Sequence, residues 1–175
     1  MDHLSYRTLD LANTLSFVLL DTGHILPIDG AQSNWLKASL EERKQVPWKC
    51  AVYHIAAYPS IYNFAEKVPS LIRTEWVPSF EEYGVCLAFE NHNHAFKKTY
   101  PLLKGKVDPA GIVYLGDGSW GVPTRSSGGN RWYLEKKAAL NTFSLLTLDK
   151  ELLKVETFDN TSKRVDVLEI SGRSL

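Results

Sequence analysis

Two short and nearly uninterrupted apolar runs, Lys49 to Tyr53 (Lys-Cys-Ala-Val-Tyr) and Val85 to Phe89 (Val-Cys-Leu-Ala-Phe), limit what this chain can fold into. A strand with one face in water alternates polar and apolar side chains, whereas a short run without that alternation suits a strand covered on both faces. Each run follows a segment with helical spacing. From Ala31 to Lys44, the residues Trp35, Leu36 and Leu40 recur among polar neighbours, and Pro47 closes the segment. From Leu71 to Tyr83, the residues Leu71, Ile72, Trp76 and Phe80 repeat the pattern; Pro78 kinks this helix or starts a fresh one, and Gly84 caps it. Helix, buried strand, helix, buried strand predicts an α/β fold in which the two strands are parallel neighbours.

The flanking texture is strand-like. Tyr6 to Leu11 and Leu15 to Leu20, joined at Ala12-Asn13-Thr14, read as a hairpin. After Pro101 come Gly111 to Leu115, Phe143 to Leu148, Leu152 to Phe158 and Val165 to Ile170, which make the second half β-rich. Gly116 to Asn130 is a long Gly/Ser/Pro loop, of a length that in compact domains is usually functional or mobile. No repeat or linker divides the chain, so residues 1–175 are expected to form one domain.

Charge excludes some partners. Lys plus Arg and Asp plus Glu each number 20, so no net field draws the chain to nucleic acid or membrane, and a phosphate-handling site would need metal or local charge. No apolar run is long enough to span a bilayer, and Met1 to Asp10 lacks the pattern of a signal peptide, so a soluble protein is expected with its compartment open. Cys50 and Cys86 sit far apart in apolar runs without Cys-x-x-Cys spacing and read as buried free thiols.

The chemistry lies where the apolar runs end. His54 follows the first, at the start of an irregular stretch through Ala57-Tyr58-Pro59-Ser60. His92 and His94 follow the second, in Phe89-Glu90-Asn91-His92-Asn93-His94. In extended backbone, residues two apart point the same way, so both imidazoles are expected to face one cavity. Parallel neighbouring strands would bring His54 to the same carboxyl edge, where open α/β sheets place their sites. Three neutral imidazoles suit zinc, iron or manganese, although a lone His-x-His is more often structural.

The words around these histidines are more specific. Glu82-Tyr83-Gly84-Val85-Cys86-Leu87-Ala88-Phe89-Glu90-Asn91-His92-Asn93-His94-Ala95-Phe96-Lys97-Lys98-Thr99-Tyr100-Pro101 resembles the purple acid phosphatase segment in which Tyr-Gly-Val leads through a buried strand to Gly-His-x-His and then to an aromatic, basic run ending in proline. Val52-Tyr53-His54, with Tyr58 and Ser60 after it, is similar to that family's earlier strand-end histidine, and Ile112-Val113-Tyr114-Leu115-Gly116-Asp117-Gly118 to its Gly-Asp-Gly turn. The likeness runs in order from about Leu15 to Gly121.

The resemblance implies the C-terminal half of a four-layer α/β/β/α metallophosphoesterase sandwich with a β-rich second half. It implies hydrolysis of phosphate mono- or diesters by a hydroxide bridging two divalent or trivalent metals, iron, zinc or manganese. By it, His54 and His92 would hold one metal and His94 the other, with Glu90, Asn91, Asn93, Tyr58 and Asp117 as second-shell or substrate candidates. A secreted or periplasmic parent would be in keeping with the family.

The chain also departs from the pattern. Asn91 replaces the family's glycine, tolerable if that position needs left-handed backbone, and Glu90 and Asn93 add polar groups that either orient the imidazoles or are solvated. The family's Asp-x-His or Asp-x-Gly, Gly-Asp-x-x-Asp or Gly-Asp-x-x-Tyr, and Gly-Asn-His motifs are absent from the chain. The expectation is therefore a piece, inactive alone, whose partner is the missing N-terminal half and whose sheet edge is exposed. A degenerate binding module or a mononuclear metal-binding protein is the alternative. Weaker candidates are His24 in Asp21-Thr22-Gly23-His24, which follows a strand and could reach the site face but reads first as a turn with a solvated histidine; Arg73 with Trp76, which could contact a phosphate ester but reads first as stacked on an aromatic; the terminal His3; and Trp120, Trp132 and Tyr133, which could wall an organic substrate but read first as core.

Overall fold

The computed structural model describes residues 5–116, 119–126 and 128–172. Residues Arg7–Leu11 (β1) and Leu15–Leu20 (β2) form the expected hairpin, and Ala31–Glu42 (α1) leads to Trp48–Tyr53 (β3). Lys67–Glu75 (α2) and Val77–Glu82 (α3) precede Leu87–Glu90 (β4). Pro78 near the first turn of α3 starts a new helix rather than kinking one, because a first-turn N–H has no intrahelical partner to lose. Phe96–Thr99 (β5), Leu102–Leu103 (β6), Lys106–Val107 (β7), Val113–Gly116 (β8) and Leu134–Ala138 (β9) follow. Thr142–Leu148 (β10), Leu152–Asp159 (β11) and Arg164–Ser171 (β12) complete the chain.

The main sheet has the order β1-β2-β3-β4-β8-β5-β9. Strands β2, β3, β4 and β8 are mutually parallel, while β1, β5 and β9 pair antiparallel at the flanks. Side chains on a strand alternate between faces, and the two cores divide accordingly. Val18 and Leu20 of β2, Ala51 and Tyr53 of β3, Ala88 of β4 and Tyr114 of β8 meet Leu36, Leu40, Ile72 and Phe80 from the helices. Leu15, Cys50, Leu87, Val113 and Leu115 face the other way, onto Leu153 and Val155 of the antiparallel β10-β11-β12 sheet. The layers are thus helices, mixed sheet, antiparallel sheet. Cys50 and Cys86 are buried in the second core without a disulfide between them, and the Cys86 thiol donates to the Lys49 carbonyl.

Candidate metal centre

The carboxyl ends of β2, β3 and β4 deliver Asp21, His54 and Asn91 to one edge of the parallel sheet. At that edge His54 Nε2 and His92 Nδ1 lie 2.9 Å apart, their rings edge to face with centroids 4.8 Å apart. The backbone fixes the pair, because the His54 carbonyl accepts both Asn91 N–H (3.1 Å) and His92 N–H (2.8 Å). Asn91 also donates its side-chain amide to the Tyr53 carbonyl at 3.2 Å. Tyr62 stacks on the far side of His92, with ring centroids 4.8 Å apart.

Both imidazoles are held below their ordinary basicity. For His54 the cause is burial first, then the neighbouring His24 and His94; for His92 it is burial, then His54, Arg125, His94 and His24. Neutral rings with free lone pairs are what metal ligation requires. Two nitrogens bound to one cation at about 2.1 Å stand about 3 Å apart when they subtend roughly a right angle, so the His54–His92 separation fits a shared ion. Among the described residues, no group of three or more His, Cys, Asp or Glu could hold a metal ion alone.

His94 departs from the extended-strand expectation. The backbone turns after β4, and His94 itself adopts the left-handed conformation (φ 51°), so the two-residue alternation does not apply. Asn91 does not take that conformation; the strained position lies three residues later, and the His94 carbonyl accepts Arg125 N–H at 2.9 Å. His94 is near enough to depress both His54 and His92, yet it shares no ring contact with them.

Glu90 and Asn93 are not solvated, with 0% and 1% exposure, and their carboxylate and amide oxygens bond groups other than imidazoles. Glu90 Oε1 accepts Tyr53 O–H and Ala57 N–H, both at 2.7 Å, and its other oxygen is paired with Lys97 Nζ. Asn93 Oδ1 accepts Ser60 N–H and Ile61 N–H at 3.1 Å each, while its Nδ2 has no hydrogen-bond partner among the described residues. Tyr58 is a core residue: its ring packs on Tyr114, burial pushes its hydroxyl up to about 12, and its carbonyl accepts Lys97 Nζ at 2.6 Å. Asp117 and His3 lie outside the described residues.

Two residues come closer than their sequence context announces. His24, half exposed, stands edge-on to His54 with centroids 5.3 Å apart and Nδ1 3.2 Å from Thr22 Oγ1. Asp21 sets that turn by accepting the N–H groups of His24, Ile25 and Leu26. The strand-end position of Asp21-Thr22-Gly23-His24 was the available signal. Arg125, from the long loop, donates to Tyr62 Oη beside His92. Its only sequence signal is a single cation in a Gly/Ser/Pro loop. Arg73 stacks on Phe64 (3.6 Å to the ring centroid) rather than on Trp76, and donates to the Ala57 and Phe64 carbonyls. Tyr133 is core, but Trp120 and Trp132 are exposed, because the long loop and its exit run over the surface.

A cavity of about 250 Å³ lined by Ile55, Pro59, Tyr62, Val68, Pro69 and His92 adjoins the histidine pair. Cavities of about 440 and 450 Å³ lie elsewhere, beside β9 and beside β12, away from the histidines.

No protein-family model matches the chain. Among curated proteins, purple acid phosphatase 18 of Arabidopsis thaliana is 32% identical over 108 residues, covering 61% of this chain and 23% of that protein. Purple acid phosphatases 15 and 21 of the same plant are each 28% identical, over 111 and 133 residues. The fold of purple acid phosphatase PPD1 from yellow lupin seeds superposes with a TM-score of 0.84 at 19% identity, covering 95% of this chain and 32% of that one. This chain is purple acid phosphatase-like. It spans about a quarter of the length of the curated relatives and a third of the lupin protein. The purple acid phosphatase-like fold also matches GAP50, the anchor in the inner membrane complex of Plasmodium, with a TM-score of 0.72 at 13% identity and 54% of that chain covered. No helix among the described residues is long and apolar enough to cross a membrane.

Proposed function

We propose that this chain supplies part of a dinuclear metallophosphoesterase centre, with His54 and His92 holding one metal and His94 the other. The observation that carries the reading is the 2.9 Å approach of His54 Nε2 to His92 Nδ1 at the carboxyl edge of the parallel sheet. When bound, the metals would supply a hydroxide near neutral pH and offset the charge developing on a phosphoryl group. The chain's own residues do the rest. Burial keeps His54 and His92 neutral and ready to bind. Arg125 and His24 border the pair and offer N–H donors to phosphoryl oxygens, and the apolar cavity beside His92 takes the organic part of an ester. The remaining ligands come from sequence outside this chain, which alone lacks turnover.

The test is to isolate the natural polypeptide that contains this sequence, determine its metal content, and assay 4-nitrophenyl phosphate and bis(4-nitrophenyl) phosphate. Two metal ions per protein, with turnover falling at least a hundredfold in His92→Ala, support the reading. A metal-free protein without turnover overturns it in favour of a degenerate module.

A further inference from the structure

The segment that carries His92 also grips the loop that follows His54, through three buried side chains outside the proposed ligand set. Glu90 accepts Tyr53 O–H and Ala57 N–H, Lys97 donates to the Tyr58 carbonyl, and Asn93 accepts Ser60 N–H and Ile61 N–H. These bonds bracket residues 53–61 from both sides of His92. Glu90 and Lys97 form an ion pair with no exposure at either side chain. A fully buried pair is weak evidence for stability, since well-packed apolar residues often replace one without loss. What the pair contributes here is better sought in the backbone it holds. The surroundings are shaped for it: a Cβ on Gly116 would come within 2.6 Å of Lys97 Cγ and 2.9 Å of the Glu90 carbonyl oxygen, so β8 ends on glycine where the lysine passes.

We propose that Glu90, Lys97 and Asn93 are positioning residues that clamp the 53–61 loop to the His92 segment and so hold His54 and His92 at ligand spacing. The consequence for metal binding rests on the function proposed above; the clamp itself is a property of the metal-free chain. Removing one charge leaves the other buried and unpaired, which perturbs folding, so the informative variant removes both. In Glu90→Leu/Lys97→Met the volume is kept while the hydrogen bonds to Tyr53, Ala57 and Tyr58 are lost.

The experiment is nitrogen-15 NMR of histidine side chains in the metal-free chain at pH 8, alongside urea unfolding and zinc titration. In the unaltered chain the His54–His92 hydrogen bond gives a downfield ring N–H, one protonated and one bare nitrogen at the bonded pair, and therefore the same tautomer in both rings. The double variant is expected to unfold cooperatively, to lose that signal, and to bind zinc tenfold to a hundredfold more weakly. A folded double variant that keeps the signal and the zinc affinity overturns the clamp. If it does not fold, Asn93→Ala decides, because it removes only the Ser60 and Ile61 bonds: loss of the signal supports the clamp, and its persistence overturns it. If the NMR contrast holds and the natural polypeptide that contains this sequence carries no metal, the clamp stands and the metal reading fails.

Discussion

The sheet edge around His54 and His92 and the β10–β12 sheet solve the same burial problem with a different balance of means, polar pairing dominating at the first and apolar alternation at the second. At the site edge, charged and polar groups are buried and their oxygens hydrogen-bonded: Glu90 with Lys97, Asn93 Oδ1 with the 60–61 backbone, Asp21 with the turn at 24–26. In β10–β12, Leu153 and Val155 face inward and Lys154, Glu156 and Arg164 make exposed ion pairs, with Asp166 as a buried charge paired to Lys98 and Lys136. Polar networks at ends that bear candidate ligands fix direction, whereas apolar alternation fixes only a face. The difference teaches where geometry is specified at a cost and where simple packing suffices.

That contrast makes graded predictions. Glu90→Ala leaves Lys97 buried without its partner and is expected to cost about 4 kcal/mol in urea unfolding; a cost below 1 would erase the distinction between the regions. Leu153→Ala, emptying a fully buried site in the second core, is expected to cost about 3 kcal/mol by the same measurement, with zinc binding unchanged. A smaller effect belongs to Asp21. Burial works against its ionisation, yet hydrogen bonds from Ser5 and from the N–H groups of Leu26, His24 and Ile25 prevail and bring its carboxyl from 3.8 to about 2. Because the folded value is depressed, its stabilisation is present above about pH 4 and lost as pH falls from 3.8 toward 2. Asp21→Asn should therefore cost about 1 to 2 kcal/mol at pH 7, allowing for solvent screening, and flatten the acid limb of the stability curve. Arg164→Ala removes a solvent-facing partner of Glu156 and should leave the urea midpoint unmoved; a clear shift would mean that the outer face also depends on charge.

Legibility in the sequence followed the same division. The parallel strands, the helices and the strand-end histidines were readable because apolar runs and helical spacing are local signals. The two flanking strands were not. Phe96–Thr99 carries two consecutive lysines and Leu134–Ala138 reads Leu-Glu-Lys-Lys-Ala, patterns that suggest solvent or helix. They pair in the sheet because Lys97 turns back on Glu90 while Lys98 and Lys136 meet Asp166, and no local pattern reports a partner as far along the chain as Asp166. The turn that rotates His94 away from strand alternation, and the approach of His24 to His54, likewise depend on tertiary contacts.

The central claim is that His54 and His92 share one metal ion. Zinc titration of the metal-free chain, followed by histidine side-chain NMR, tests it most directly. Concerted, saturable shifts at His54 Nε2 and His92 Nδ1, abolished in both His54→Ala and His92→Ala, are the predicted result. Zinc that perturbs neither ring, or that binds unchanged in both variants, would contradict it.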